Sequence, residues 1–131
     1  MSSEELSNRL ARQELVDVTE AQSAAQTSTN DYVIVTESIL DTQGKNAVQY
    51  VVQNTHAANV ITAKIMGRII NAAGVASSWI NTTLTAADVA ALGAAGFALT
   101  ACPFSQVAIF IESKVDGSHG SALVFGQSSK I

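Results

Sequence analysis

Side chains alternate between apolar and polar along several short segments, and this alternation restricts those segments to extended strands. In residues 59–70, Ile61 and Ile65 fall on one side of such a strand and Lys64 falls on the other. Residues 104–115 repeat the pattern, with apolar side chains at every second position. A period of two residues is that of a strand with one face in a core and the other in water. These segments are therefore predicted to be strands and not helices.

Segments of this kind return roughly every ten residues from Asp31 to the end of the chain, a spacing typical of an all-β domain. The turn sequences between them include DTQGKN, NAAG and DGSHG. The pattern predicts an all-β fold, an antiparallel β-sandwich of about 7–8 strands. A small closed barrel accommodates the same spacing and remains the alternative architecture. One short helix is predicted in TAADVAAL, because Thr85 can cap its start and Gly93 can end it.

The N-terminal part of the chain differs in composition from the rest. Its first 30 residues contain five of the eleven acidic residues and no aromatic residue. Ser2 and Glu5 have the spacing of a capping box, and Leu6 and Leu10 share one face of a helix. This part is therefore predicted to contain a helix from about residue 3 to residue 12.

The sequence accordingly divides into two predicted parts, a partly helical, acidic N-terminal arm in residues 1–30 and a β-sandwich domain in residues 31–131. The arm has two interpretations, a solvated tail or an extension that reaches onto a neighbouring subunit. An N-terminal segment is ordered only where something holds it in place. The second interpretation gives the leucines of the arm a role in an interface.

Charged side chains are nearly absent from the middle of the sequence. Between Ile69 and Ile111 the only one is Asp88, although charged residues make up 14% of the chain. Soluble proteins use charged side chains to keep their surfaces in water, whereas the centre of a protein–protein interface lacks them. The stretch is therefore predicted to face other protein chains, although for its only tryptophan a core position is the first interpretation and an interface position the second. The candidate interface residues are Trp79 and the three leucines of the arm, Leu6, Leu10 and Leu15.

No spacing of residues in the sequence indicates catalysis or metal binding. His56 and His119 both fall in predicted turns, and neither has the neighbours that a metal site needs. Asp116 and Ser118 lie next to His119 within one turn, where the three groups cannot adopt the geometry of a catalytic triad. Cys102 is the single cysteine, and it is predicted to be a small buried apolar residue. The chain is therefore predicted to be no enzyme and to hold no metal or cofactor.

Composition also argues against nucleic acid and membranes as partners. The net charge is −4, which provides no basic surface for nucleic acid. The most hydrophobic window, residues 84–102, is rich in Ala and Gly and contains Asp88, which makes it a poor membrane span. The N-terminal sequence MSSEELSNRL lacks the basic and apolar regions of a secretory signal. Synthesis in the cytoplasm is therefore expected.

Two longer segments carry a resemblance to a known group of proteins. They are YVVQNTHAANVITAKIMGRI, a strand pair with a polar turn, and VAIFIESKVDGSHGSALVFGQ, a closing hairpin. With them, residues 31–131 resemble the small β-sandwich virion proteins of tailed bacteriophages, of the decoration and connector type. The resemblance implies a structural role in symmetry-related copies and an N-terminal segment that grips a neighbour. It implies, as partners, copies of the chain itself and a major capsid or other virion protein, and a location in the virion.

The leading functional prediction is therefore a structural virion protein of a bacteriophage, which assembles as repeated copies and decorates or cements the capsid. A position in the neck, the tail or the fibre base is the first alternative. A β-sandwich module that displays loops to bind a carbohydrate or a receptor is the second. Such a site uses aromatic side chains, and the chain has only one Trp, two Tyr and four Phe. An enzyme is the interpretation that the residues favour least.

Overall fold

Two antiparallel β-sheets and one short 3₁₀ helix, Thr36–Ser38, make up the fold in the computed structural model, which describes residues 16–130. The strands of the first sheet, sheet 1, are β1 (Val16–Gln22), β2 (Gln26–Thr27), β5 (Ala47–Asn54), β9 (Ala94–Leu99) and β11 (Ser121–Lys130). The strands of the second sheet, sheet 2, are β3 (Val33–Ile34), β4 (Leu40–Asp41), β6 (Ile61–Arg68), β7 (Ile80–Asn81), β8 (Ala87–Val89) and β10 (Gln106–Ser113).

The order of the strands places two groups of edge strands on opposite sides of the molecule. Sheet 1 has the order β1–β11–β5–β9, with β2 beside β11. Sheet 2 has the order β3–β10–β6–β7, with β4 beside β10 and β8 beside β6. Strand β8 contacts β9, whereas β1 contacts β4 and the 3₁₀ helix. One side of the sandwich is therefore built by β7, β8 and β9, and the opposite side by β1, β3 and β4.

The alternation predicted from the sequence is confirmed in the long strands. In β5 the buried residues are every second one, Val48, Tyr50, Val52 and Asn54. In β6 the apolar positions from Ile61 to Gly67 are buried in the same way. Strand β10 follows with Val107, Ile109 and Ile111, each fully buried. The two sheets thus enclose one apolar core between them, as an antiparallel sandwich requires.

Tyr50 is the largest of the fully buried side chains, with 1% of its surface exposed. Its phenolic hydroxyl donates to the carbonyl oxygen of Ser38 at 2.6 Å and lies 3.2 Å from that of Val107. Burial raises the pKa of the Tyr50 phenol. The ring packs against the backbone of Gly126, its partner on β11, where a side chain would not fit. Tyr50 therefore ties sheet 1 to sheet 2 through the middle of the core.

The predicted short helix after Thr85 is wrong. Residues 87–89 form strand β8, which pairs with β6 and buries Val89 to 1% exposure. The pairing satisfies the backbone groups that a helix would satisfy internally, and it places an apolar side chain in the core. A turn follows instead of further helix, with Leu92 at φ 58. Tertiary burial thus outweighs the local capping signal.

The described residues form eleven strands, which is more than the 7–8 predicted from a spacing of about ten residues. The additional ones have only two or three residues each and lie at the edges of sheet 2 or beside β11. Segments this short carry no periodicity that a sequence can reveal. The long strands set the architecture, and the short ones extend it.

The predicted N-terminal arm contributes to the sandwich itself. Residues 16–22 form β1, which pairs with β11 from Val16 opposite Lys130 to Gln22 opposite Phe125. The sandwich thus extends N-terminal to the predicted boundary at residue 31. The helix predicted for residues 3–12 lies outside the described residues.

Candidate interface

The stretch that lacks charge forms most of one side of the sandwich. Residues 69–104 include β7, β8, β9 and the turns between them, and this region is called the uncharged side below. The remainder of the stretch, in β10, is buried at the centre of sheet 2. The prediction that residues 69–111 form one meeting surface is therefore too broad, because part of the stretch is core. What faces outward lies on two neighbouring sheet edges.

The only charge on the uncharged side, that of Asp88, is neutralised within the chain. Its carboxylate lies 2.9 Å from the ammonium of Lys114 and accepts a 2.9 Å hydrogen bond from the hydroxyl of Thr62. These two partners, Lys114 first, hold the pKa of Asp88 below its ordinary value. Because the pKa of Asp88 is lower in the folded chain than in the unfolded chain, its ionised form stabilises the fold at pH values above the unfolded-state pKa. This stabilisation is lost as the pH falls through the folded-state pKa of Asp88. At neutral pH no unpaired charge stands on this side.

Strand β9 leaves one edge of sheet 1 open. Asn54 donates its backbone N–H to the carbonyl oxygen of Gly93 at 2.9 Å, just before β9 begins. Such bonded pairs alternate along an antiparallel ladder, so Ala95 and every second residue after it bond to β5. The residues between them point their N–H and C=O groups away from the sheet. These residues are Ala94, Gly96 and Ala98.

The open edge has none of the devices that normally block strand pairing. Its exposed side chains are methyl groups or hydrogen, and no Lys, Glu or Pro lies within Ala94–Leu99. Within residues 16–130, no other strand pairs with this edge. Exposed edges are usually protected by charged residues, proline or bulges, because the free backbone groups accept a further strand. The edge of β9 is therefore competent to pair with another chain.

The opposite edge of sheet 1 is protected in the usual way. Strand β1 carries Asp17 and Glu20, both exposed. Asp17 has a positive φ of 52, and the register with β11 shifts between Val16 and Thr19. A charged, bulged strand does not offer a regular row of backbone groups to a partner. Only one of the two edges of sheet 1 is thus free of protection.

A shallow groove of about 750 Å³ runs over the outer face of sheet 1 and reaches β9. Phe125, Val51 and Gly96 form one row across three strands of this face. Gln49 and Gln127 lie in the next row, where the amide of Gln127 donates to that of Gln49 at 3.2 Å. Val51 is 42% exposed although it is apolar. The groove joins the open edge to an apolar and amide surface whose only charged lining residue is on β1.

Trp79, the candidate interface residue that the structure describes, is half-buried on the outer face of sheet 2. Its ring meets the ring of Phe110 edge-on, with 5.7 Å between the ring centres. The guanidinium of Arg68 stands over its face at 4.4 Å. Both contacts are intramolecular, so the aromatic ring is already used within the chain. Leu6, Leu10 and Leu15 lie outside the described residues, and their proposed role stays a prediction.

Replacing Trp79 with alanine is expected to lower the free energy of unfolding by about 1–2 kcal/mol, because both an aromatic pair and a cation–π contact are lost. Chemical denaturation followed by circular dichroism measures the change. Ile80→Ala is the matched control. Because the neighbouring Ile80 is 54% exposed, this substitution should lower the free energy of unfolding much less than Trp79→Ala does. Equal losses for the two variants would contradict the contacts assigned to Trp79.

A second exposed feature of the uncharged side is the hairpin at residues 69–80. Asn71 holds its turn: the side-chain oxygen accepts from the N–H groups of Ala73 and Val75, each at 3.0 Å. The turn closes at Gly74, whose φ of 82 suits glycine. Two apolar side chains of the hairpin face solvent: Ile69 is 46% exposed and Val75 is 62% exposed. The hairpin therefore carries exposed apolar surface beside β7.

The two histidines hold loops in place. His56 accepts at Nδ1 from the N–H groups of Ala58 and Asn59, at 3.1 and 2.9 Å, which fixes the loop after β5. The Nδ1 atom of His119 is 2.8 Å from the hydroxyl oxygen of Ser113, and Ser113 is only 3% exposed. Among residues 16–130 no three His, Cys, Asp or Glu side chains come together as metal ligands would. Cys102 is half-buried and unpaired.

No helix within the described part of the chain has the length and apolarity to cross a membrane.

Sequence reasoning missed the outer face of sheet 1. The interface predicted from composition lies in residues 69–111, whereas the groove is lined by residues from two other parts of the chain, among them Gln49, Val51, Phe125 and Gln127. One signal was available: Val51 is apolar on the side of β5 that otherwise carries glutamines. The register that places Phe125 beside it was not, because pairing between distant strands cannot be deduced from either strand alone.

Comparison with known proteins gives a fold and no family. No family model matches the chain, and no curated protein does. Among solved structures, the chain is similar to a chain of the structure titled "Bacillus endospore appendages form a novel family of disulfide-linked pili", with a TM-score of 0.52 and 10% identity over 90% of this chain and 92% of that one. At this identity, the similarity shows a shared all-β fold.

Two further structures match with lower scores. PirA has a TM-score of 0.41 and 13% identity, over 87% of this chain and 96% of that chain. A chain of the infectious bursal disease virus Gx strain has a TM-score of 0.40 and 10% identity, over 86% of this chain and 32% of that one.

Proposed function

We propose that this chain is a non-enzymatic structural subunit that assembles with further copies of itself. The observation that carries the proposal is the open, unprotected edge of β9, which stands on a side of the sandwich without an unpaired charge. Bringing two such surfaces together desolvates no unpaired ion, so the electrostatic cost of burial is lower than for an ordinary charged surface. A monomer with this edge would be prone to uncontrolled pairing, whereas an assembly subunit makes use of it.

Two further features support the proposal. The groove over sheet 1 adds exposed apolar surface next to β9, and the hairpin at residues 69–80 carries exposed apolar side chains of its own; exposed apolar surface is typical of interaction sites. The fold is also compatible with the role, since a subunit of disulfide-linked pili has a similar one. This chain has a single cysteine, so chains could be joined by at most one disulfide each through that residue.

In the more specific form of the proposal, the chain is a virion protein of a tailed bacteriophage that decorates or cements the capsid. Its partners would be copies of itself and a major capsid protein, and its location would be the virion after synthesis in the host cytoplasm. What supports this form is the general resemblance of residues 31–131 to such proteins, carried by the strand pair and the closing hairpin quoted above. Neck, tail and fibre-base positions are the alternatives within the same class.

The self-association of the purified chain tests the general proposal. Size-exclusion chromatography with light scattering, at protein concentrations up to about 100 μM, is expected to give a mass that rises with concentration to a multiple of the single chain. Electron microscopy of the same samples shows whether the multiple is a closed oligomer, a tube or a fibre. A constant single-chain mass over the whole range would contradict the proposal and favour the loop-displaying binding module.

A further inference from the structure

We propose that two copies of this chain pair through their β9 strands in antiparallel orientation about a two-fold axis at Gly96. The inference rests on the proposed function and names the partner of the open edge as a second β9. Pairing would join sheet 1 of one copy to sheet 1 of the other. The result would be one continuous sheet with the order β1–β11–β5–β9 followed by the same four strands of the partner in reverse order. The added hydrogen bonds would be between backbones, as in strand addition generally.

The sequence of β9 is symmetric about Gly96 at the positions that matter. The edge-facing residues read Ala94, Gly96 and Ala98, which is the same series in both directions. With Gly96 opposite Gly96 of the partner subunit, Ala94 stands opposite an alanine in both halves. Each of these pairs exchanges two N–H···O bonds, the pattern of bonded pairs in an antiparallel ladder. An isologous contact needs this kind of self-complementarity.

The side chains between the bonded pairs also fit one another. On the core-facing side of β9, the same register sets Ala95 against Phe97 across the two-fold axis, a small side chain against a large one. Phe97 is 7% exposed and Ala95 is half-buried, so their packing extends the existing core at its edge. Non-bonded pairs bring side chains closest together, which favours a small residue opposite an aromatic one.

The electrostatics and the opposite edge argue for this partner over others. No charged side chain lies in Ala94–Leu99, so the two β9 strands meet without charge repulsion between them. Strand β1, the other edge of sheet 1, carries Asp17 and Glu20 and a bulge, and it offers no regular ladder to the β9 of a neighbour. Contact between two copies of β9 avoids both obstacles.

The first test compares two substitutions at Gly96. Gly96→Pro removes an N–H that points away from β5, and proline is accepted at such an edge position. It is expected to raise the dissociation constant of the dimer at least about tenfold, because two N–H···O bonds at the axis are lost. Gly96→Ala is the matched control: it keeps the N–H, and a Cβ there meets nothing closer than 3.9 Å. Alanine should leave the dissociation constant within about twofold.

The second test uses charge to detect the two-fold axis. In Gly96→Lys, and likewise in Gly96→Glu, identical charges stand opposite each other at the axis, which destabilises a cross-strand pair. Each variant alone is expected to lose dimer, and an equimolar mixture of the two is expected to recover a heterodimer. Mass photometry or native mass spectrometry distinguishes these species. A partner strand other than a second β9 does not bring the two introduced charges together, so it does not predict recovery on mixing.

The outcomes separate this inference from the function on which it rests. Wild-type association that Gly96→Pro leaves unchanged, or Lys and Glu variants that do not recover on mixing, would overturn the pairing and leave a self-assembling subunit. A wild-type chain that stays single at about 100 μM would overturn the proposed function as well. Circular dichroism of each variant, compared with Gly96→Ala, shows that a lost dimer is not a lost fold.

Discussion

Replacing Tyr50 with alanine is expected to lower the free energy of unfolding by about 3–5 kcal/mol, the range for removing a large aromatic side chain from a core. The side chain is 1% exposed and fills the space between the two sheets. Its removal also leaves the carbonyl oxygens of Ser38 and Val107 without the phenolic hydroxyl. Since domains of this size are stable by about 5–15 kcal/mol, the variant should be close to unfolded at physiological temperature. Thermal and chemical denaturation measure the loss.

Two companion variants divide this effect into its parts. Tyr50→Phe keeps the ring and removes only the hydroxyl, so it should cost about 1–3 kcal/mol for unsatisfied buried carbonyl groups. Gln49→Ala changes the adjacent exposed position and should cost less than about 0.5 kcal/mol. A Tyr50→Ala protein as stable as Gln49→Ala would contradict the central place given to this side chain.

Adding one methyl group at Gly126 is expected to lower the free energy of unfolding by about 2–3 kcal/mol. A Cβ at this position would overlap the ring of Tyr50 and lie 3.1 Å from a methyl carbon of Leu40. The ring cannot turn away, because its hydroxyl donates to Ser38 and its other neighbours are core residues. The variant Gly126→Ala must therefore shift strand β11 or strain the core.

The matched control for Gly126→Ala is Gly96→Ala, also in a strand of sheet 1. A Cβ at Gly96 has room on the outer face, so this change should be neutral or stabilise the chain by up to about 0.5–1 kcal/mol through the lower entropy of the unfolded state. Urea denaturation of both variants, at a concentration below dimer formation, gives the comparison. Equal stabilities would contradict the close packing of Tyr50 against Gly126.

The long strands could be predicted from the sequence because each has enough residues to display its period. Strands β5, β6 and β10 have eight residues each, and their buried positions follow the predicted alternation. The helix expected after Thr85 fails for the opposite reason. Its signals were local, namely a capping residue and a terminal glycine, whereas Val89 is held in a strand by contacts with β6 that are distant in sequence. The local helix preference of this segment is thus outweighed by the burial of Val89 in the core.

The uncharged side could be predicted in part from composition. Few charges between Ile69 and Ile111 indicated a surface for other chains, and residues 69–104 do lie along one side of the sandwich. What composition could not supply was which backbone groups are left open. That depends on the order of strands in sheet 1, and strand order follows from contacts between segments such as β5 and β9, forty residues apart in the chain.

The pairing of Val16 with Lys130 brings the two ends of the described chain to the same place in sheet 1. An affinity tag or a fluorescent protein fused after the C-terminal strand would thus emerge beside the point where residue 16 enters the sandwich. In a chain shortened to residues 16–130, these two ends could also be joined by a short linker and new ends opened at the exposed hairpin around Gly74, since adjacent ends and exposed turns are what circular permutation requires. Such a permuted protein would carry new termini on the side of β7 to β9, where bulky fusions would report directly on what that side meets.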